Sequence, residues 1–166
     1  MVFLANRANL QNKRLHRRVR TRLQKEAGCR SVQLRVASHR EPGPYRVIAE
    51  TDPQQWLKTT DYPVETGRLE VGFDVETGTG YDHYWINWIE PERQLLLGWH
   101  QDTDHPDLGP VHLQLAHGDA VIDRETAEFL DDHPLSVFEI RIGQLPSAVT
   151  DIEWKDDRAL SLHYHS

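Results

Sequence analysis

Arg68-Leu69-Glu70-Val71-Gly72-Phe73-Asp74-Val75-Glu76 carries the cleanest two-residue alternation in the chain, with Leu69, Val71, Phe73 and Val75 on one side and Arg68, Glu70, Asp74 and Glu76 on the other. Successive side chains of a strand point to opposite faces, so this stretch predicts a strand with one apolar and one wet face. Working outward, Gly78-Thr79-Gly80 predicts a turn into a strand over 81–90, where Tyr84, Ile86 and Trp88 lie opposite His83, Trp85 and Asn87. Glu90-Pro91-Glu92 then leads to 94–99, whose Leu95-Leu96-Leu97 run predicts a central strand buried on both faces, and 111–116 supplies a further partner.

Upstream, Val32, Leu34 and Val36 share a parity, as do Tyr45, Val47 and Ala49 beyond the turn-rich Arg40-Glu41-Pro42-Gly43-Pro44 link, which predicts a hairpin. Before it, Leu15, Val19 and Leu23 form an i, i+4, i+8 stripe that predicts a helix over 9–27, ended by Gly28. Downstream, Asp123 is placed to cap a short helix through Leu130, and Pro134 to open a second one carrying Leu135, Phe138 and Ile142. This order predicts an α+β fold: an N-terminal basic helix, an antiparallel β-sheet of several strands, and C-terminal helices packed on one face. At 166 residues a single domain spanning 1–166 is expected, with 1–50 as basic helix plus hairpin.

The net charge of −7 hides a split: residues 1–46 hold 12 Lys/Arg against 2 Asp/Glu, and residues 47–166 hold 7 against 24. An electropositive segment of this density suits a polyanion, an acidic protein, or the chain's own acidic body. Arg14, Arg17, Arg18, Arg20 and Arg22, with Lys13 and Lys25, meet no acidic residue until Glu26. A merely solvated helix face interleaves both signs, so these arginines are the candidate nucleic-acid contacts. No apolar run approaches the roughly 20 residues that span a bilayer, and Val2-Phe3-Leu4-Ala5 is too short for a signal-peptide core, so a cytoplasmic protein without membrane partners is expected. Cys29 stands alone, which excludes an intrachain disulfide and a cysteine zinc cage.

The densest polar stretch is Trp99-His100-Gln101-Asp102-Thr103-Asp104-His105-Pro106-Asp107, placed where a buried strand delivers a loop to the surface. Imidazole and carboxylate ligate divalent metals, but the loop reads more readily as a solvated acidic turn, and no metal or cofactor is expected. Trp85 projects opposite the apolar face of its strand, either as a stacking platform for an RNA base or as a packing partner.

Tyr84 in an aromatic strand, then Trp99, Asp104-His105-Pro106-Asp107-Leu108 and Pro110-Val111-His112, resemble in order the TumE toxins of toxin-antitoxin pairs over roughly residues 67–145. His100-Gln101 stands where that family usually has Asp-Asn after the tryptophan. The resemblance implies a growth-inhibiting protein held by a cognate antitoxin and acting on RNA. Metal-independent RNA cleavage needs a base for the 2′-OH, an acid for the leaving oxygen and charge stabilisation for the phosphorane. His105 and His112 are the candidate pair, Asp104 the residue that orients an imidazole, and the helix arginines the phosphate contacts. Two further readings remain: a non-catalytic RNA- or ribosome-associated binding protein, and a protein-interaction module for an acidic partner.

Overall fold

The computed structural model describes residues 2–75 and 83–164, with side chains from residue 9 onward. The expected turn at Gly78-Thr79-Gly80 lies outside the described residues, as does His165.

Helix α1 runs over Val2–Gln24, starting a good deal earlier than its apolar stripe suggests. Val19 and Leu23 are fully buried and Leu15 packs beside them. Gly28 ends the turn that follows, at φ +93°, and a Cβ there would meet the Cβ and N of Trp56 at 2.9 Å, so only glycine fits. Strands β1 (Cys29–Val36) and β2 (Tyr45–Thr51) form the expected hairpin, with Val32 opposite Ala49 and Leu34 opposite Val47. The short helix α2 (Pro53–Leu57) starts as its sequence dictates: the Asp52 side chain accepts the Gln55 N–H and Pro53 fills the first turn. It seats Trp56 on Trp88, the rings 5.0 Å apart and nearly parallel.

β3 (Gly67–Asp74), β4 (His83–Glu90), β5 (Leu95–Gln101), β6 (Val111–His117) and β7 (Ala120–Thr126) complete a seven-stranded sheet in which sequence order is spatial order. Every neighbouring pair is antiparallel. The fold is therefore α+β and mostly sheet, as expected. The segment from Asp123 is a correction: it is an edge strand, not a helix. Asp123 lies opposite Leu115, and its carboxylate accepts the Leu162 N–H instead of capping a helix. The ladder to β6 satisfies the backbone that a helix would have used, and the single helix that follows, α3 (Pro134–Thr150), buries Val137, Phe138, Ile142 and Leu145.

A separate two-stranded sheet, β8 (Glu153–Lys155) and β9 (Arg158–Ser161), follows α3. Three elements cover one face of the sheet side by side: α1 over β1 to β3, α3 over β4 and β5, and the β8–β9 hairpin beside β6 and β7. Under them lie Val47, Leu69, Val71, Phe73, Tyr84, Ile86, Trp88, Leu97, Trp99, Leu113 and Leu115. Each fully buried large apolar side chain contributes about 1.5–3 kcal/mol, so this layer holds the molecule together. Leu95 and Leu97 are buried but Leu96 is only half-buried, so β5 does not have the two covered faces that its leucine run suggests.

Polar contacts set the register of α1 on the sheet. Val47–Val71 is the last pair between β2 and β3. Beyond it the Phe73 N–H donates to His16 Nε2 at 3.0 Å and the Val75 N–H to Asn12 Oδ1 at 2.9 Å. Because Nε2 accepts, the His16 proton sits on Nδ1, which donates to the Asn12 carbonyl at 2.6 Å. Burial lowers the His16 pKa to about 4, with Arg46 acting in the same direction.

Candidate functional site

Among the described residues the other sheet face carries no helix, and its side chains follow from strand parity. Arg46 follows β2's first residue, and the ladders then place Gly72 opposite Trp85, Trp85 opposite His100, and His100 opposite His112. One row across the sheet thus carries two neighbouring imidazoles before it reaches Thr126 on β7. The next row carries Glu70, Asn87, Gly98 and Gln114. Two loops at the same end of the sheet frame the row, the 37–44 link and the 102–110 loop, to give a polar cleft of about 340 Å³.

On the β1–β2 side, Arg46 is almost fully buried over Gly72, where a Cβ would meet its Nη1 at 2.1 Å. Its guanidinium lies 5.2 Å from the Trp85 ring, and its Nε is 3.6 Å from a Glu41 oxygen. Glu41 is held bidentately by Arg35 at 2.7 and 2.8 Å and accepts the Ser38 N–H, and these donors hold its carboxyl down at about 2. Trp85 therefore has a cation near its ring and Gly43 close by, so it is only partly open as a stacking platform.

On the β5–β6 side, His100 donates from Nε2 to Asn87 Oδ1 at 2.8 Å, which leaves Nδ1 with a free lone pair. Burial, aided by the charge of His112, pushes the His100 pKa down to about 4. His112 is 1% exposed, and its Nε2 has no hydrogen-bond partner among the described residues. Its pKa is lowered too, chiefly by burial, while Asp102 and Asp104 oppose the shift. The ring of His105, from the loop, stands 4.9 Å from that of His112, nearly perpendicular. Donor atoms of His100, Asp102 and His112 lie within 4.8 Å of one another.

The structure thus brings together three of the residues singled out in the sequence: His105, His112 and Asp104 all line the cleft, and Trp85 joins them. Sequence reasoning missed the contributions of Arg46, Asn87 and Gln114, and left His100 in a solvated loop. Pairing 94–99 with 111–116 in register would have found the His100–His112 contact. The helix arginines are not at the cleft. α1 packs on the covered face, so the sheet lies between Arg14, Arg17 and Arg18, which are exposed, and the histidines. Arg17, Arg18, Thr21, Arg22 and Lys25 line a shallow groove of their own, and Arg20 is half-buried. Arg22 is already engaged by Glu26 at 2.6 Å and by Glu139 of α3 at 2.7 Å.

No protein-family model, curated protein or solved structure matches this chain. Among the described residues no helix is long and apolar enough to cross a membrane.

Proposed function

We propose that the protein is a toxin-like, RNA-directed protein of the cytoplasm, checked by a cognate antitoxin, whose chemistry is metal-independent cleavage of the RNA backbone in the open-face cleft. The observation that carries this reading is the pair of imidazoles, His105 and His112, 4.9 Å apart in a cleft that also holds a buried arginine. In such a cleavage the 2′-oxygen attacks phosphorus as its proton passes to a neutral imidazole. The P–O5′ bond then breaks as an imidazolium gives a proton to the leaving oxygen, leaving a 2′,3′-cyclic phosphate. His112, held neutral by burial, is the base, and His105, nearer the loop surface, is the acid. Asp104 acts on His112 through its charge. Arg46, inside the cleft, supplies the stabilising charge that the basic helix was expected to provide.

Induced expression in a suitable host tests this, following growth and total RNA for wild type and the His105→Ala/His112→Ala variant. Growth arrest with RNA breakdown in wild type alone supports the reading; the same arrest in both removes the catalytic assignment. A non-catalytic RNA-binding role is favoured by a separate observation, that the exposed arginines of α1 and the cleft sit on opposite faces of the sheet. Under it, wild type shifts RNA in a gel but leaves the RNA intact.

A further inference from the structure

We infer that His100, Asp102 and His112 form a binding site for a divalent transition-metal ion. The inference goes beyond the RNA reading and stands without it; an ion held by His112 would occupy the single lone pair that a base needs, so the cleavage proposed above belongs to the metal-free protein.

Strand geometry builds the triad. His100 and Asp102 are two residues apart at the end of β5, so they leave the sheet on one face, and His112 is the cross-strand neighbour of His100 on β6. The imidazole rings of His100 and His112 are 5.3 Å apart. One donor atom from each of the three residues falls within 4.8 Å of the others. Ligands about 2.0–2.2 Å from a tetrahedral zinc lie about 3.3–3.6 Å apart. Closing that gap asks for roughly 1 Å of side-chain movement, which small rotations of the three side chains supply.

Two further features point to an ion. His112 is buried, yet its Nε2 has no hydrogen-bond partner among the described residues. A buried imidazole nitrogen left without a partner costs about 1–3 kcal/mol, and a metal ion removes that cost. The second feature is the support of His100. Its Nε2–H is held by Asn87 Oδ1, which fixes the tautomer and aims the Nδ1 lone pair, the arrangement usual for a ligating histidine. Asn87 stands on β4 opposite Gly98, where a Cβ would meet its Oδ1 at 1.9 Å, so the glycine makes room for the orienting amide. Two imidazoles and one carboxylate suit zinc or cobalt better than calcium or magnesium. They leave a coordination position open toward the cleft, beside His105.

The test uses the full chain after chelator treatment, titrated with Zn²⁺ by calorimetry and with Co²⁺ by visible absorption. Wild type should saturate at one ion per chain, with the d–d bands of a nitrogen-ligated Co²⁺. His112→Gln and Asp102→Asn should each weaken binding by at least about tenfold. Zn²⁺ should raise the unfolding temperature of wild type and not that of His112→Gln, with circular dichroism showing that the variant is folded. His163, beside Glu153 at 2.5 Å, is the internal control, and His163→Ala should bind as wild type does. No saturable binding by wild type overturns the inference, as does binding that survives His112→Gln undiminished, whatever His163→Ala does. No RNA enters these titrations, so their failure leaves the cleavage reading standing, and intact RNA in a cleavage assay leaves the metal site standing.

Discussion

His100 and His112 face each other across the β5–β6 ladder, their rings 5.3 Å apart and nearly perpendicular, on the sheet face opposite α1 and α3. This cross-strand pairing turns a polar loop into a site. It places two neutral imidazoles beside Asp102 and within reach of His105, while the hydrophobic core lies behind them on the other side of the sheet.

Asn87 should matter to that site without touching a ligand. Removing its amide leaves the His100 Nε2–H without the acceptor that now lies at 2.8 Å and frees the ring to turn. Asn87→Ala is expected to lower Zn²⁺ affinity by about 10–100-fold, and Asn87→Asp, which keeps an acceptor, to restore most of it. Calorimetry on the two variants checks this, and equal affinity in both would argue against an orienting role.

Acid should loosen the attachment of α1. His16 must stay neutral to accept from Phe73, and its folded pKa of about 4 lies below its ordinary value of 6.5. The unfolded chain therefore binds the proton more readily. The His16 contribution is complete above about pH 6.5, falls as pH drops toward 4, and amounts to about 3 kcal/mol at most. His100 and His112 are shifted in the same direction, so the comparison must isolate His16. Denaturant unfolding between pH 7 and 4.5 should show a weaker pH dependence in His16→Gln than in wild type.

A buried ion pair ties the β4–β5 turn to the rest of the fold. Glu90 is fully buried and accepts from Trp88 Nε1 at 3.0 Å, Arg93 Nε at 2.7 Å and the Tyr62 hydroxyl. Arg93 also stacks 3.9 Å from the Trp154 ring, linking that turn to the β8–β9 hairpin. Arg93→Ala leaves a buried carboxylate without its cation and should cost about 3–5 kcal/mol, read from the midpoint of urea unfolding. A cost below about 1 kcal/mol would place this pair with ordinary surface ion pairs.

The exposed arginines of α1 give a prediction that does not involve the cleft. Arg14→Ala, Arg17→Ala and Arg18→Ala together should weaken RNA binding and flatten its dependence on salt, by about 0.7 in the log–log slope for each single-strand phosphate that is no longer neutralised. Filter binding at several salt concentrations measures it. An unchanged slope would remove these arginines from the RNA contact.

Much of the fold was legible because alternation at β3 and β4 is strict and the β1–β2, β4–β5 and β5–β6 connections each carry Gly or Pro. His105, His112 and Asp104 were legible because they cluster in sequence. The β7 strand was not: Asp123 before an acidic run looks like a helix cap, and only its pairing with β6 and its bond to the Leu162 N–H decide otherwise. Arg46 was also hidden, because it sits among the basic residues of the first 46 and its approach to Trp85 depends on a glycine in register on the neighbouring strand. The helix arginines showed their charge in sequence but not their side of the sheet, which is fixed by the apolar stripe of α1 packing on the face opposite the histidines.

The most direct test of the cleavage reading is incubation of purified chelator-treated protein with end-labelled RNA, comparing wild type with His105→Ala and His112→Ala. Wild type is expected to give fragments ending in 2′,3′-cyclic phosphate, and each variant to be slower by about 10²–10⁴-fold. RNA left intact by wild type, or cut equally by all three proteins, would contradict it.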